Sequence, residues 1–202
     1  MRKMLIALLC CSLITAGCAP VMIAGAASGT SAAYDDRTLS TMYQDEGITH
    51  EALGLIKDNP ELKATNISII TLNGIMLLVG QAPNETTKTL AYTTVKSIPE
   101  VKKIYNEVTL AANTSTVTRS NDAWITTKVK TAMLTENGLQ STQVKVLTEN
   151  STVYLLGIVT TVEAEQAVQV TKHIKGVKKV VKLFQIKKAA PVKPADTNTK
   201  TQ

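Results

Sequence analysis

Cysteine, histidine and aromatic side chains are scarce in this chain, and each scarcity excludes something. There are three cysteines in 202 residues. Cys10 and Cys11 fall inside an N-terminal apolar stretch, and Cys18 alone follows it. The two histidines, His50 and His173, read as exposed helix positions, one beside Glu51 and the other among Lys172 and Lys175. No zinc cluster assembles from such spacings. No Gly-x-Ser-x-Gly, phosphate loop or paired-carboxylate motif occurs either. The expectation is a protein that is not an enzyme and has no metal and no cofactor. With one Trp, one Phe and five Tyr, any core must be built from Val, Ile, Leu and Ala.

The N-terminus sets the compartment. Arg2 and Lys3 precede an apolar run from Met4 to Ile14, then Thr15-Ala16-Gly17-Cys18. This is the layout of a secretory signal peptide, and the run is too short to span a bilayer as a mature helix. A secreted chain left with one cysteine forms no internal disulfide; acylation of Cys18 accounts for it. An ordinary signal peptide cut at a nearby Ala is the alternative. Export leaves nucleic acid a poor partner.

The strongest feature is an internal repeat. Asn66-Ile67-Ser68-Ile69-Ile70-Thr71 recurs as Gln143-Val144-Lys145-Val146-Leu147-Thr148, and Ile75 to Gly80 recurs as Thr152 to Gly157, at an offset of 77. Ile48, Ala52, Leu55 and Ile56 fall on Ile125, Val129, Ala132 and Met133 at the same offset. Beyond the glycine the offset is 76, matching Val101-Lys102-Lys103-Ile104 to Val177-Lys178-Lys179-Val180. Each copy reads helix, strand, strand, helix, strand. In the second, apolar residues at helical spacing mark the first helix, with Asn121 or Asp122 as its expected N-cap. Asn73-Gly74 is a strong hairpin signal; Asn150-Ser151 is a weaker one. Ile75 to Val79 is apolar throughout, as a central strand is. Gly80 and Gly157 are expected to permit a bend after it. The fold class is α+β: two tandem units, each a three-stranded mixed sheet packed on two helices (αββαβ).

The hairpin, the strand closing on Gly80 or Gly157, the Val-Lys-Lys segment and above all Ser120-Asn121-Asp122-Ala123-Trp124-Ile125-Thr126-Thr127-Lys128-Val129 resemble the BON domain. Two such units behind a lipobox resemble the dual-BON outer-membrane lipoproteins, although Thr15 stands where a lipobox has a large aliphatic residue. On this reading residues 1–17 are the signal peptide, 18–42 the lipidated tether and 43–112 the first domain. Residues 113–119 are a linker, 120–187 the second domain and 188–202 a disordered tail. The absence of Asp after Cys18 implies, in those families, export to the outer membrane on its periplasmic side.

The copies differ in charge. Residues 42–110 hold six lysines and eight acids, net −2, and residues 121–190 ten lysines and five acids, net +5. At 100° per residue with Ile125 at zero, Thr127, Thr131, Trp124 and Leu134 fall between about 180° and about 260°, flanked by Lys128 and Lys130. The sister copy has Gly47 at the Trp position and Lys57 at the Leu position, so the fold does not need this outward pair. A ring and an aliphatic side chain rimmed by lysines suit a membrane interface. The resemblance implies the same: binding of anionic phospholipid through this helix, in support of envelope integrity, division sites included. Two alternatives stand beside it. Trp124 packs against the first copy, or the face serves a periplasmic adaptor or chaperone that grips envelope proteins.

Overall fold

The computed structural model describes residues 39–187. Cys18, the expected signal segment and the expected tail lie outside them. The first copy comprises α1 (Leu39–Asp58), β1 (Asn66–Leu72), β2 (Ile75–Ala82), α2 (Glu85–Lys96) and β3 (Lys103–Leu110). The second comprises α3 (Thr116–Thr135), β4 (Val144–Glu149), β5 (Thr152–Val159), α4 (Thr161–Lys172) and β6 (Lys179–Ile186). In each sheet the second strand is central, antiparallel to the first and parallel to the third. The parallel pair is joined through the second helix, the crossover that parallel strands require.

Alternation along the strands builds the cores. Met76, Leu78 and Ala82 point to the helix side of the first sheet and meet Ile48, Ala52 and Ile56 of α1 and Ala91 and Val95 of α2. Val153, Leu155 and Val159 do the same in the second copy with Ile125, Val129, Met133, Ala167 and Val168. The opposite faces are apolar too: Leu72, Ile75, Leu77 and Val79 of the first copy cluster with Tyr154 and Leu156 of the second. The two sheets share this third core, so the layers run helix, sheet, sheet, helix. It explains why β2 is buried on both faces throughout. Two polar links cross the same boundary. Gln81 Nε2 donates to Glu149 Oε1 at 2.7 Å, and Lys145 Nζ lies 2.8 Å from Glu46 Oε1. Tyr154 is pushed above its ordinary pKa of 10.0, first by burial and then by the charges of Glu107 and Glu149.

Three sequence expectations change. The N-cap of α3 is Ser115, whose side chain accepts from Thr118 N, and not Asn121 or Asp122. Residues 116–119, read as linker, are therefore the first turn of α3, and α1 likewise takes in residues 39–42. Asp122 is buried within the helix, where its two oxygens accept from Asn150 N and Ser151 N at 2.8 and 2.9 Å. Asp45, 77 residues earlier, holds Asn73 N and Gly74 N at 2.7 and 2.9 Å. Both turns have positive φ at both central residues: Asn73 53°, Gly74 73°, Asn150 47° and Ser151 61°. The Asn-Ser turn thus has the same geometry as Asn-Gly, because the aspartate clasp holds it there. Finally, Gly80 and Gly157 lie inside their strands, paired with Ile67 and Val144. They permit close approach instead of a bend: a Cβ on Gly80 would stand 1.8 Å from the Asn66 carbonyl oxygen, and one on Gly157 2.9 Å from that of Gln143.

Candidate functional site

α3 is 20 residues long, about 30 Å at 1.5 Å per residue. Its buried side is Asp122, Ile125, Val129 and Met133. The opposite side carries the expected site residues together. Trp124 is 62% exposed and Leu134 69%; Thr127, Lys130 and Thr131 are exposed. Trp124 is therefore not packed into the domain interface, which the sheets' inner faces make. Sequence reasoning missed two members. Val117, 80% exposed, is seven residues before Trp124 and falls on the same stripe, and Arg119 falls on the flank of Lys130. Both were hidden by the misplaced cap; the pattern Ser115-x-x-Thr118, a capping serine three residues before its acceptor-seeking amide, was the signal available. The stripe Val117, Trp124, Thr131 with Thr127 and Leu134 runs the length of the helix.

Lys128 stands apart from the other cations. It is half-buried, its ammonium donates to the Lys175 carbonyl at 2.6 Å and lies 5.9 Å from the Trp124 ring centroid. It ties α3 to the loop after α4 and supports the indole as well as carrying charge. Below Leu134 a cleft of about 220 Å³ opens between α3 and β4, lined by Lys130, Met133, Leu134, Ser141, Val144 and Val146 among others. Its counterpart in the first copy, about 410 Å³, is lined by Leu53, Ile56, Lys57 and Ile67 among others. The apolar and cationic rim residues exchange places: Leu53 answers to Lys130 and Lys57 to Leu134 at the offset of 77. His50 is exposed, and His173 caps α4 with Nδ1 2.7 Å from the Gln169 carbonyl oxygen. Among the described residues no three His, Cys, Asp or Glu side chains are grouped to hold a metal ion, and no helix is long and apolar enough to cross a membrane.

Such a chain is a fused pair of α+β modules, one of which presents an apolar stripe rimmed by cations. The BON domain model matches residues 44–112 and 121–188, and the chain belongs to the BON family. It is 36% identical over 183 residues to the outer membrane lipoprotein DolP of Haemophilus influenzae, covering 90% of this chain and 95% of that relative. It is 33% identical over 151 residues to the 21 kDa hemolysin of Actinobacillus pleuropneumoniae, covering 74% and 78%. Among solved structures, the C-terminal domain of CdsD from the type III secretion system of Chlamydia trachomatis aligns with a TM-score of 0.29 and 18% identity, over 71% of this chain and 67% of that one. The chain is an outer-membrane lipoprotein of the BON family.

Proposed function

We propose that this lipoprotein is acylated on Cys18 and binds anionic phospholipid through the outward side of α3 in its second BON domain, supporting envelope integrity. The observation that carries the reading is the 62% exposure of Trp124, the chain's only Trp, on a stripe with Val117 and Leu134. An exposed indole between aliphatic side chains and cations has few uses inside a folded protein, whereas at a headgroup layer the ring sits at the boundary it prefers. Each lysine or arginine close to an anionic surface adds about 1 kcal/mol. A chain already held by acyl groups needs only a weak further attraction to lie against the bilayer. Catalysis has no part in this role.

The test is vesicle binding by the chain from Ala19 onward, made without the lipid, on phosphatidylglycerol-containing and on phosphatidylcholine vesicles. Trp124→Glu is expected to abolish binding to the anionic vesicles and leave folding intact, since the sister copy carries Gly47 at that position. Ile125→Glu, a charge placed at a fully buried position, unfolds the domain instead. Equal binding by wild type and a folded Trp124→Glu variant overturns the reading and favours a protein-gripping adaptor on the same face. Anchoring is tested separately: Cys18→Ala abolishes palmitate labelling and releases the protein from membranes, and persistence of both refutes acylation there.

A further inference from the structure

The two copies differ at a second place, on the other edge of the sheet from α3. α4 packs over β6, whereas α3 packs over β4. Between α4 and β6 runs a groove of about 500 Å³, with Ala164, Val168, Phe184 and Ile186 on its apolar walls and Lys172 and Lys182 among its polar lining. At the offset of 76 the first copy has Lys88 for Ala164 and Tyr92 for Val168. There Tyr92 is half-buried, with Lys96 Nζ 5.7 Å from its ring centroid. The same alignment keeps the structural positions alike: Ala91 and Ala167 are both buried, and Asn84 and Thr160 both cap their helices. The second copy thus has two smaller residues along one helix face, while on the facing strand Phe184 stands where the first copy has Val108.

β6 is an edge strand, hydrogen-bonded among the described residues only to β5. Its outer edge therefore offers a row of backbone donors and acceptors beside a groove of mixed apolar and polar lining. Lys182, Phe184 and Ile186, alternate residues of the strand, face the groove. A lysine facing inward on an edge repels a second apolar edge and so guards against aggregation. The same lysine, with Lys172 across the groove, welcomes a strand that brings a carboxylate. Neither lysine is engaged in a salt bridge among the described residues. Glu165 lines the groove as well, so the cations outnumber the acid two to one.

We propose that this groove is a peptide-docking site that takes an extended segment whose groove-facing side chains, every second residue, are apolar and acidic in turn, added as a further strand to the open edge of β6. Main-chain hydrogen bonds supply affinity in such pairing, and alternate side chains supply selectivity. An acyl chain fits less well, because hydrocarbon leaves the strand edge unpaired and the two ammonium groups without a counter-charge. The site is independent of the α3 stripe and lies at the opposite edge of the same sheet. A chain held on the membrane through one edge is then free to hold a protein through the other.

The experiment uses the full chain from Ala19 and two fluorescent eight-residue peptides, Thr-Val-Thr-Glu and Thr-Val-Thr-Lys each repeated twice, so that the Val and the charged side chains of each peptide share one face. The Val-Glu peptide is expected to bind, with amide-exchange protection gained in residues 179–186, and the Val-Lys peptide to bind at least tenfold more weakly. The double variant Ala164→Lys, Val168→Tyr installs the first copy's own residues and is expected to fold and to lose peptide binding. Lys182→Glu is expected to reverse the preference between the two peptides. Unchanged Val-Glu binding by the folded double variant overturns the proposal, as does protection that maps to α3. Loss of anionic-vesicle binding in the double variant overturns it in favour of a lipid surface. Peptide binding that appears only after residues 188–202 are removed overturns it in favour of the chain's own tail as the occupant.

Discussion

The ammonium of Lys128 donates to the main-chain oxygen of Lys175 at 2.6 Å, so one of the expected membrane-contacting cations also fastens the first helix of its domain to the loop after the second. Gly176, the next residue, has a φ of 105° and lies against Ile125, so the contact holds a tight loop on the core. Lys128→Ala is expected to lose about 1 kcal/mol of stability, less than a buried charged hydrogen bond contributes because the site is half-exposed. Lys130→Ala is expected to leave stability within about 0.5 kcal/mol of wild type. Urea unfolding distinguishes them. Equal stability of the two variants would show that the Lys175 contact contributes nothing in solution.

Val117 tests the extent of the stripe. It is 80% exposed and lies beyond the region that sequence reasoning gave to the helix. Val117→Asp is expected to weaken binding to phosphatidylglycerol vesicles several-fold, less than Trp124→Glu does, while circular dichroism is unchanged. If binding is untouched, the contact begins at Trp124 and the N-terminal turn stands clear of the surface.

Gly80→Ala is expected to be the most damaging small substitution in the first copy. The added methyl would stand 1.8 Å from the Asn66 carbonyl oxygen, at a φ of 132° that L residues rarely adopt. Both neighbours are backbone, so β1 must separate from β2 to admit it. A loss of about 3 kcal/mol or failure to fold is expected, above the usual range for point changes. Gly157→Ala, with its nearest oxygen at 2.9 Å and an ordinary φ, is expected to cost less. A thermal melt that ranks them the other way round contradicts the geometry.

The paired clasps make a matched prediction. Asp122→Ala leaves Asn150 N and Ser151 N without their acceptors and Ser151 in a left-handed conformation that costs about 1–2 kcal/mol. Asp45→Ala leaves a turn whose second residue is glycine and bears that conformation at little cost. Asp122→Ala is therefore expected to destabilise more than Asp45→Ala, and Ser151→Gly to restore part of the loss. A restoration of nothing, measured by denaturant midpoint, would separate the clasp from the turn.

Much of this architecture was legible in the residues. The offset of 77 placed α1 over α3 and each hairpin over its sister, and the all-apolar run from Ile75 to Val79 already marked the central strand, although not the second sheet that covers its other face. The misplaced cap and the shortened helix have a common cause. Asn121-Asp122 has the chemistry of a cap, and a periodicity argument cannot tell an aspartate that ends a helix from one that reaches across to a neighbouring turn. That one misassignment removed Val117 and Arg119 from view. The second role of Lys128 was invisible for a different reason, since its acceptor is a main-chain atom 47 residues away in sequence. The groove on β6 was present in the alignment as Ala164 against Lys88 and Val168 against Tyr92, but only the packing of α4 on β6 shows that those exchanges leave space.

The third core, where Leu77 and Val79 meet Tyr154 and Leu156, bears on how the repeat came to persist. A string of independent beads can lose one bead and keep the rest. Here each module supplies the lid of the other, and a truncated chain would turn a broad oily sheet toward the periplasm. With the halves joined in this way, neither is dispensable to the other. The outer helices are not bound by that shared core, and it is there that the copies differ, Trp124 standing where the first has Gly47, in a second copy that also holds the greater number of lysines.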